Sequence, residues 1–208
     1  MGKAGSGKSL FASNKASDLF KEGKKVLFID YYRTEIFSDA PNLIINPSVT
    51  FGGDFENFKY EDFEKIIKDF IQKNSSAKIS ILEGEFGTER TQKICSFLAD
   101  FILINQDIFS GYSIFIDEVN RFDVGKISQL LSQSKNNNIS YTIIHQYLDQ
   151  FSKDMAVTIV KMCKNLVFRI SLQDSEYIAS IYGLESDALY NLPQYEYREL
   201  GPIEENGI

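Results

Sequence analysis

Short continuous apolar runs alternate along the chain with longer segments whose apolar residues recur every three or four positions. The short runs are typical of strands buried on both faces, and the longer segments are typical of helices with one buried face. This alternation predicts an α/β protein with a mostly parallel sheet flanked by helices. The predicted strands are 26–29, 43–45, 79–82, 112–116, 141–144, 166–170 and 195–200, and the predicted helices are 8–22, 60–73, 88–108, 123–135, 152–163, 173–182 and 185–191.

A glycine-rich segment stands at the start of the first predicted helix. Residues 2–9 read GKAGSGKS and match G-x-x-x-x-G-K-[ST] at every fixed position. In this motif the backbone N–H groups surround a phosphate, the lysine reaches the β- and γ-phosphates, and the serine hydroxyl ligates Mg²⁺. The motif predicts ATP and Mg²⁺ as cofactors, with a catalytic role for Lys8. The predicted nucleotide contacts are Gly2, Gly5, Ser6, Gly7, Lys8, Ser9 and Leu10, with Ser9 also a metal ligand.

A buried strand normally leads into such a loop, but here the motif begins at residue 2. We expect either that this first strand is missing or that another segment takes its place, because a sheet without a central strand exposes two unpaired edges. No linker, repeat or change of composition divides the 208 residues. The chain is therefore predicted to be a single P-loop ATPase motor domain over 1–208.

Two acidic residues follow the apolar strand 112–116. An acid at the end of a strand in a P-loop ATPase holds Mg²⁺ through water, and this role is predicted for Asp117. A neighbouring carboxylate can polarise the attacking water, and this role is predicted for Glu118. Asp30 also ends a strand and is a competing acid, although two tyrosines follow it.

The next predicted strand ends in His145 and Gln146. An amide at this position can contact the γ-phosphate or orient water, and an imidazole could act as a base. Neighbouring residues of a strand face opposite sides, so at most one of the two faces the nucleotide. We expect Gln146 to be the functional residue, on the resemblance described below, and His145 to be packed in the fold.

Composition narrows the possible partners. Lys and Arg number 22 against 29 Asp and Glu, a formal net charge of −7, which disfavours a protein that coats nucleic acid by charge. Local contacts stay possible at the basic clusters 21–25 and 161–164, although such clusters are usually solvated faces. Cys95 and Cys163 are not in a CxxC pair, and the single histidine disfavours a Cys/His metal site. No apolar run approaches the ~18 residues of a membrane span, so we expect a cytoplasmic chain, alone or at the edge of a membrane complex.

Three segments resemble the FtsK–HerA superfamily of ring-forming, DNA-pumping ATPases, and most of all its TraG/TraD-type coupling proteins of conjugation and type IV secretion. They are the phosphate loop with VLFID at 26–30, the acid segment 114–122, and the stretch 143–151 with 165–169 and Asp174 after it. The resemblance implies that Gln146 senses the γ-phosphate. The residues to which it assigns nucleotide roles are Lys8, Ser9, Asp117, Glu118 and Gln146.

The sequence departs from the coupling proteins in three ways. Their membrane anchor and inserted helical domain have no counterpart, and the compact size is closer to the viral genome-packaging branch of the superfamily. The arginine that reaches into a neighbouring subunit's site is replaced by Lys135. Other candidates for this role are Arg90, Arg121 and Arg169.

Together with this resemblance, the motifs predict a RecA-like P-loop NTPase that hydrolyses ATP, and the resemblance implies that it is a DNA translocase. The resemblance implies a ring oligomer, as a hexamer, that serves conjugative or type IV secretion coupling, or alternatively viral genome packaging. The implied partners are DNA, further copies of the chain, and secretion-channel or capsid proteins. The rivals are a P-loop small-molecule kinase, which would need an arginine-rich lid, and a nucleotide-binding module that does not hydrolyse. The arginines that could form a lid are scattered, at Arg33, Arg90, Arg121, Arg169 and Arg198.

Overall fold

The computed structural model describes residues 1–31, 37, 40–46, 50 and 59–203, and Arg33 lies outside them. The chain forms two compact units. The first consists of Met1–Phe11 and the chain from Ile144 onward, and the second is Ala12–Ile143. The single motor domain expected from the sequence stays a prediction.

The second unit is built on a five-stranded sheet in which every pairing is parallel. Its strand order is β2-β3-β1-β4-β5, which confirms the predicted α/β fold with a mostly parallel sheet. Strands β1, β3 and β4 are buried along almost their whole length, as expected of continuous apolar runs. The bounds are β1 Lys25–Asp30, β2 Asn42–Ile45, β3 Ala77–Ile81, β4 Tyr112–Ile116 and β5 Ser140–Ile143.

Helices flank this sheet, and their buried faces follow the predicted spacing. In α2, for example, Phe63, Ile67 and Ile71 are buried four residues apart. Gly23 ends α1 with a φ of +76°, and its N–H donates to the Phe20 carbonyl at 2.9 Å, as is common for a glycine at a helix C-terminus. The bounds are α1 Lys8–Lys21, which begins in the first unit, α2 Tyr60–Lys73, α3 Glu83–Phe86, α4 Thr88–Ile104, a 3₁₀ turn Val119–Arg121, and α5 Val124–Gln133.

Helix α4 stops four residues before the predicted end at 108. The N–H and the side-chain Nδ2 of Asn105 both donate to the Phe101 carbonyl, each at 3.0 Å, and so cap the last turn. Phe109 is nevertheless fully buried. Because the apolar pattern continues past Ile104, the sequence predicted the end of the helix four residues too late.

The first unit has its own apolar core, which includes Val167, Ile178 and Leu189. In it β6 pairs antiparallel with β7, with Val167 opposite Arg198. The bounds are a 3₁₀ turn Leu148–Gln150, α6 Lys153–Met162, β6 Asn165–Val167, α7 Leu172–Tyr182, α8 Asp187–Tyr190 and β7 Arg198–Leu200.

Residues 1–3 are hydrogen-bonded on two sides. The Met1 nitrogen donates to the Leu166 carbonyl at 2.8 Å, and the Lys3 N–H donates to the Arg169 carbonyl at 2.8 Å. The Gly2 N–H donates to the His145 carbonyl at 3.3 Å. The predicted strand 166–170 is shortened to β6 because the backbone beyond Val167 bonds to these first residues instead of to β7.

No helix in the described ranges is both long enough and apolar enough to cross a membrane.

Candidate active site

Two glycines of the phosphate loop pack too closely for a side chain. A Cβ on Gly2 would lie 2.7 Å from Phe168 Cβ and 2.8 Å from Ser6 Oγ. A Cβ on Gly7 would lie 2.7 Å from Tyr195 Cδ1, and Gly7 has a φ of +103°, in the region that L residues avoid. The conformation of the loop therefore depends on glycine at both positions.

The loop leads directly into a helix N-terminus. The Phe11 N–H bonds back to the Gly7 carbonyl at 2.9 Å, so the positive end of the helix dipole lies at residues 7–9. Lys8 is buried, and its Nζ donates to the Lys3 carbonyl at 3.0 Å, which folds the ammonium back over the loop. Backbone donors, a helix dipole and a lysine charge at one place favour a phosphate.

The other predicted loop residues differ in their environment. Ser6 is buried, and its Oγ has no hydrogen-bond partner within the described part of the chain. Gly5 is exposed, Ser9 is half-buried in the first turn of α1, and Leu10 is 49% exposed. The polar positions therefore lie along the loop itself, while Leu10 presents an apolar side chain to solvent beside it.

A second segment of the first unit holds the loop, and sequence reasoning missed it. Gln194 Nε2 donates to the Gly5 carbonyl at 2.9 Å, and the Tyr195 N–H donates to the Ser6 carbonyl at 3.1 Å. Lys3 Nζ lies 4.8 Å from the centre of the Tyr190 ring. The tyrosine-rich stretch 190–197 was the only sequence feature that could have pointed to this contact. No local sequence pattern relates it to residues 3–7, which are far away in the chain.

The acid pair lies at the carboxyl end of β4. The Asp117 N–H donates to the Ile29 carbonyl at 3.0 Å, which continues the ladder to β1, and Asp117 Oδ1 accepts the Glu118 N–H at 3.0 Å. Glu118 has φ 44° and ψ 53°, a left-handed conformation that costs a residue with a Cβ about 1–2 kcal/mol. Such strain at the predicted catalytic carboxylate is a feature that often accompanies functional sites.

A buried Tyr–Cys contact lies in the same unit. The Tyr31 hydroxyl and Cys95 Sγ are 3.1 Å apart. Burial raises the pKa of Cys95 to about 12. Burial also raises the pKa of Tyr31 well above its usual range, with Cys95 and, more weakly, Asp117 adding to the rise against the opposing charge of Arg121. Both groups are therefore neutral near pH 7.

The competing acid Asp30 is engaged elsewhere. Its Oδ2 lies 2.8 Å from Lys78 Nζ, and both side chains are buried in the sheet. Removing one partner of such a pair would leave a buried uncompensated charge. Asp30 therefore has a structural role in the sheet.

His145 and Gln146 occupy different environments in the first unit. The His145 ring is buried edge-on against Phe151, with 4.9 Å between ring centres, while Gln146 is half-buried. Burial lowers the pKa of His145 well below its usual value, and the nearby charge of Lys8 contributes to the lowering. His145 is packed in the fold, as expected, and its imidazole is neutral.

The loop after Gln146 is shaped by a residue that sequence reasoning did not single out. Gln150 Oε1 accepts the N–H groups of Gln146 and Tyr147, at 3.1 and 3.0 Å. Asp174, in the first turn of α7, accepts the Leu148 N–H on Oδ1 at 3.4 Å. The segment carrying Gln146 is thus held from within by Gln150 and from α7 by Asp174.

The candidate arginines and the basic clusters lie mostly at the surface. Arg121 NH2 is 2.9 Å from a Glu83 carboxylate oxygen. Arg90, Lys135 and Arg169 are exposed. Lys164 pairs with Glu199 at 2.7 Å, where both side chains are more than half exposed, so this contact contributes little to stability. All five residues of the basic cluster 21–25 are exposed, and its cations are Lys21, Lys24 and Lys25.

The described residues contain no group of three or more His, Cys, Asp or Glu side chains that could hold a metal ion. Mg²⁺ is usually held by one or two protein oxygens together with substrate phosphates. Ser9 carries a hydroxyl and Asp117 a carboxylate, and each of these groups is an oxygen donor of this kind. The phosphate loop and Gln146 lie in the first unit, and Asp117 and Glu118 lie in the second.

No family model matches the sequence, and no curated protein matches it. Solved structures do share its fold. VirB4 of Thermoanaerobacter pseudethanolicus superposes with a TM-score of 0.66 over 99% of this chain and 88% of its own, at 11% sequence identity. The genome packaging NTPase B204 from Sulfolobus turreted icosahedral virus 2, in complex with sulfate, superposes with a TM-score of 0.56 over 99% of this chain and 95% of its own, at 12% identity.

B204 in complex with AMP gives a TM-score of 0.57 at 12% identity, over 97% of this chain and 95% of that one. These likenesses establish the fold, and they fit the resemblance that the sequence motifs predict. By fold, the chain is therefore an α/β protein that shares its architecture with VirB4 and with the B204 NTPase.

Proposed function

We propose that the chain is an ATP-hydrolysing motor of the FtsK–HerA type that moves DNA as an oligomer. One combination of features supports this most strongly: a phosphate loop at the start of α1, with Lys8 folded over it, occurs in a fold shared with VirB4 and B204. The acid pair Asp117 and Glu118 after β4 supplies the carboxylates that hydrolysis needs.

The proposed roles follow from the chemistry of each group. The N–H groups at the start of α1 and the ammonium of Lys8 bind the phosphates. Ser9 and Asp117 would hold Mg²⁺, which supplies positive charge against the β- and γ-phosphate oxygens. Glu118 accepts a proton from the attacking water, and Gln146 contacts the γ-phosphate and communicates its presence to DNA-facing loops.

Within this class we place conjugative or type IV secretion coupling first and viral genome packaging second. The motif resemblance and the likeness to VirB4 support the first, and the likeness to B204 over 94% to 95% of its length supports the second. The proposed partners are DNA, further copies of the chain, and secretion-channel or capsid proteins, with a cytoplasmic site of action.

The decisive experiment measures ATP turnover with and without DNA over a range of salt concentrations. We expect DNA to stimulate turnover. Glu118→Gln should lower turnover about 10²- to 10⁴-fold, the usual contribution of a general base, while ATP binding persists. The matched control is Glu89→Gln, at an exposed position of α4 in the same unit, which should leave turnover unchanged.

The alternatives predict different outcomes. Turnover that ignores DNA at every salt concentration overturns the translocase proposal. Turnover unchanged by Glu118→Gln overturns the role of Glu118. ATP binding without turnover in the unaltered protein identifies the non-hydrolysing module, and phosphate transfer to an added small molecule identifies the kinase.

A further inference from the structure

Aromatic side chains stand exposed beside the phosphate loop. Tyr195 is 62% exposed and Tyr197 is 43% exposed, and both lie in the first unit with the loop. The role proposed above assigns no task to either. Large apolar surfaces left in water next to a ligand loop are candidate contacts for the rest of that ligand.

The position of Tyr195 is set by its backbone and by its close contact with Gly7. Its N–H donates to the Ser6 carbonyl at 3.1 Å, and its ring lies so close to Gly7 that a Cβ there would meet Cδ1 at 2.7 Å. The preceding residue, Gln194, donates from its side chain to the Gly5 carbonyl at 2.9 Å. The ring of Tyr195 is therefore held against the phosphate loop, while most of the residue's surface is exposed to solvent.

Tyr197, two residues further along the chain, packs against Phe11 in α1. Its ring lies 4.9 Å from that of Phe11 and 5.5 Å from that of Phe168, measured between centres. Tyr195 has a φ of +69°, a left-handed conformation that a residue with a Cβ adopts only at a cost in energy. Strained residues of this kind cluster at ligand clamps.

The part of the ligand that Tyr195 would contact can be inferred from its position next to the phosphate loop. In a nucleoside triphosphate the base is joined through the ribose to the α-phosphate, so a loop that holds the phosphates leaves the base near its rim. A flat base stacks well on an exposed aromatic ring, and the larger purine ring system buries more surface than a pyrimidine. We propose that Tyr195 is the stacking platform for the purine base of the nucleoside triphosphate whose phosphates the loop holds, an inference that rests on the proposed function.

The test separates base binding from phosphate binding. Calorimetry would compare Mg²⁺-ATP with Mg²⁺-tripolyphosphate, which carries the phosphates without a base. Tyr195→Ala should weaken ATP binding about tenfold, within the range that base–aromatic stacking contributes, and leave tripolyphosphate binding within twofold. Tyr195→Phe, which keeps the ring, should bind both like the unaltered protein.

Tyr177→Ala is the matched control, because Tyr177 is an exposed tyrosine of α7 in the same unit. It should change neither affinity. Since the chain contains no tryptophan, Tyr195→Trp gives a single fluorescent reporter, whose emission should change on adding ATP and stay the same on adding tripolyphosphate.

Equal weakening of both ligands by Tyr195→Ala would show that the residue only shapes the loop, and no weakening of either would show that it does not meet the base; both overturn the proposal. Binding of CTP as tight as that of ATP would also overturn the proposal, because it would show no preference for a purine base. Failure of the proposed function is distinguishable, because a protein that shows no DNA-stimulated turnover can still discriminate ATP from tripolyphosphate through Tyr195.

Discussion

At the scale of single residues, two side chains that are neighbours in the sequence can differ in how deeply they are buried. His145 is buried against Phe151, whereas Gln146 next to it is half-buried. This outcome follows from the alternation of side chains along an extended segment, and it was predictable from the sequence. The neutral state of His145 was not, because it depends on desolvation and on a lysine that is distant in sequence.

The buried imidazole makes stability depend on pH in one direction. Because the folded-state pKa of His145 is lowered, the unfolded chain takes up a proton below pH 6.5 that the folded chain does not. Unfolding is therefore favoured as the pH falls from 6.5, by about 1 kcal/mol at a pH of about 5.5. Urea unfolding at the two pH values measures this loss.

His145→Asn should remove that part of the pH dependence, whatever it does to stability overall. The imidazole signal in proton NMR offers a direct check, since the chain has one histidine. An imidazole that titrates near pH 6.5 in the folded protein would contradict the buried neutral state.

At the scale of elements, the side-chain amide of Gln150 holds the start of the loop that follows β5. Gln150 Oε1 accepts two N–H groups, those of Gln146 and Tyr147. Because Gln150 acts through Gln146, it is a positioning residue in the proposed mechanism.

Gln150→Ala should lower kcat about tenfold, as expected for two lost hydrogen bonds that position a group in the transition state, with KM changed by about twofold or less. Gln150→Glu keeps an oxygen acceptor and should restore most of kcat. Gln129→Ala, at an exposed position of α5, is the control. A Gln150→Ala variant with an unchanged kcat, or with only KM altered, would contradict this role.

Elements with regular apolar spacing were predictable from the sequence, and those whose limits depend on distant contacts were not. Helix α2 was predicted with its observed bounds because its buried face repeats every four residues. The end of β6 was misplaced because Phe168 and Ile170 continue the apolar run although the backbone changes partners. The bond from Gln194 to Gly5 joins residues 189 positions apart, and no local pattern encodes it.

At the scale of the whole molecule, net charge limits how the chain can meet DNA. The formal charge of −7 opposes a broad electrostatic contact with DNA. A motor that contacts DNA through a few residues of each subunit releases few counterions for each copy.

The concentration of DNA that gives half-maximal stimulation should therefore rise only modestly with salt. We expect a slope of log affinity against log salt of about −1 to −3 for each subunit, which corresponds to a few phosphate contacts. Measurements between about 50 and 200 mM salt cover the range in which a larger contact would lose most of its affinity. A slope steeper than about −6 for each subunit would instead indicate an extended basic groove.

The left-handed backbone conformation of Glu118 affects which amino acids can replace it during evolution. Asparagine and glycine adopt this conformation more easily than glutamate, so a library of variants selected only for folding should favour them at this position. Selection for growth that depends on the motor should keep glutamate there. The two selections would therefore diverge at residue 118, and the size of that divergence measures how much stability the chain gives up for a carboxylate at this place.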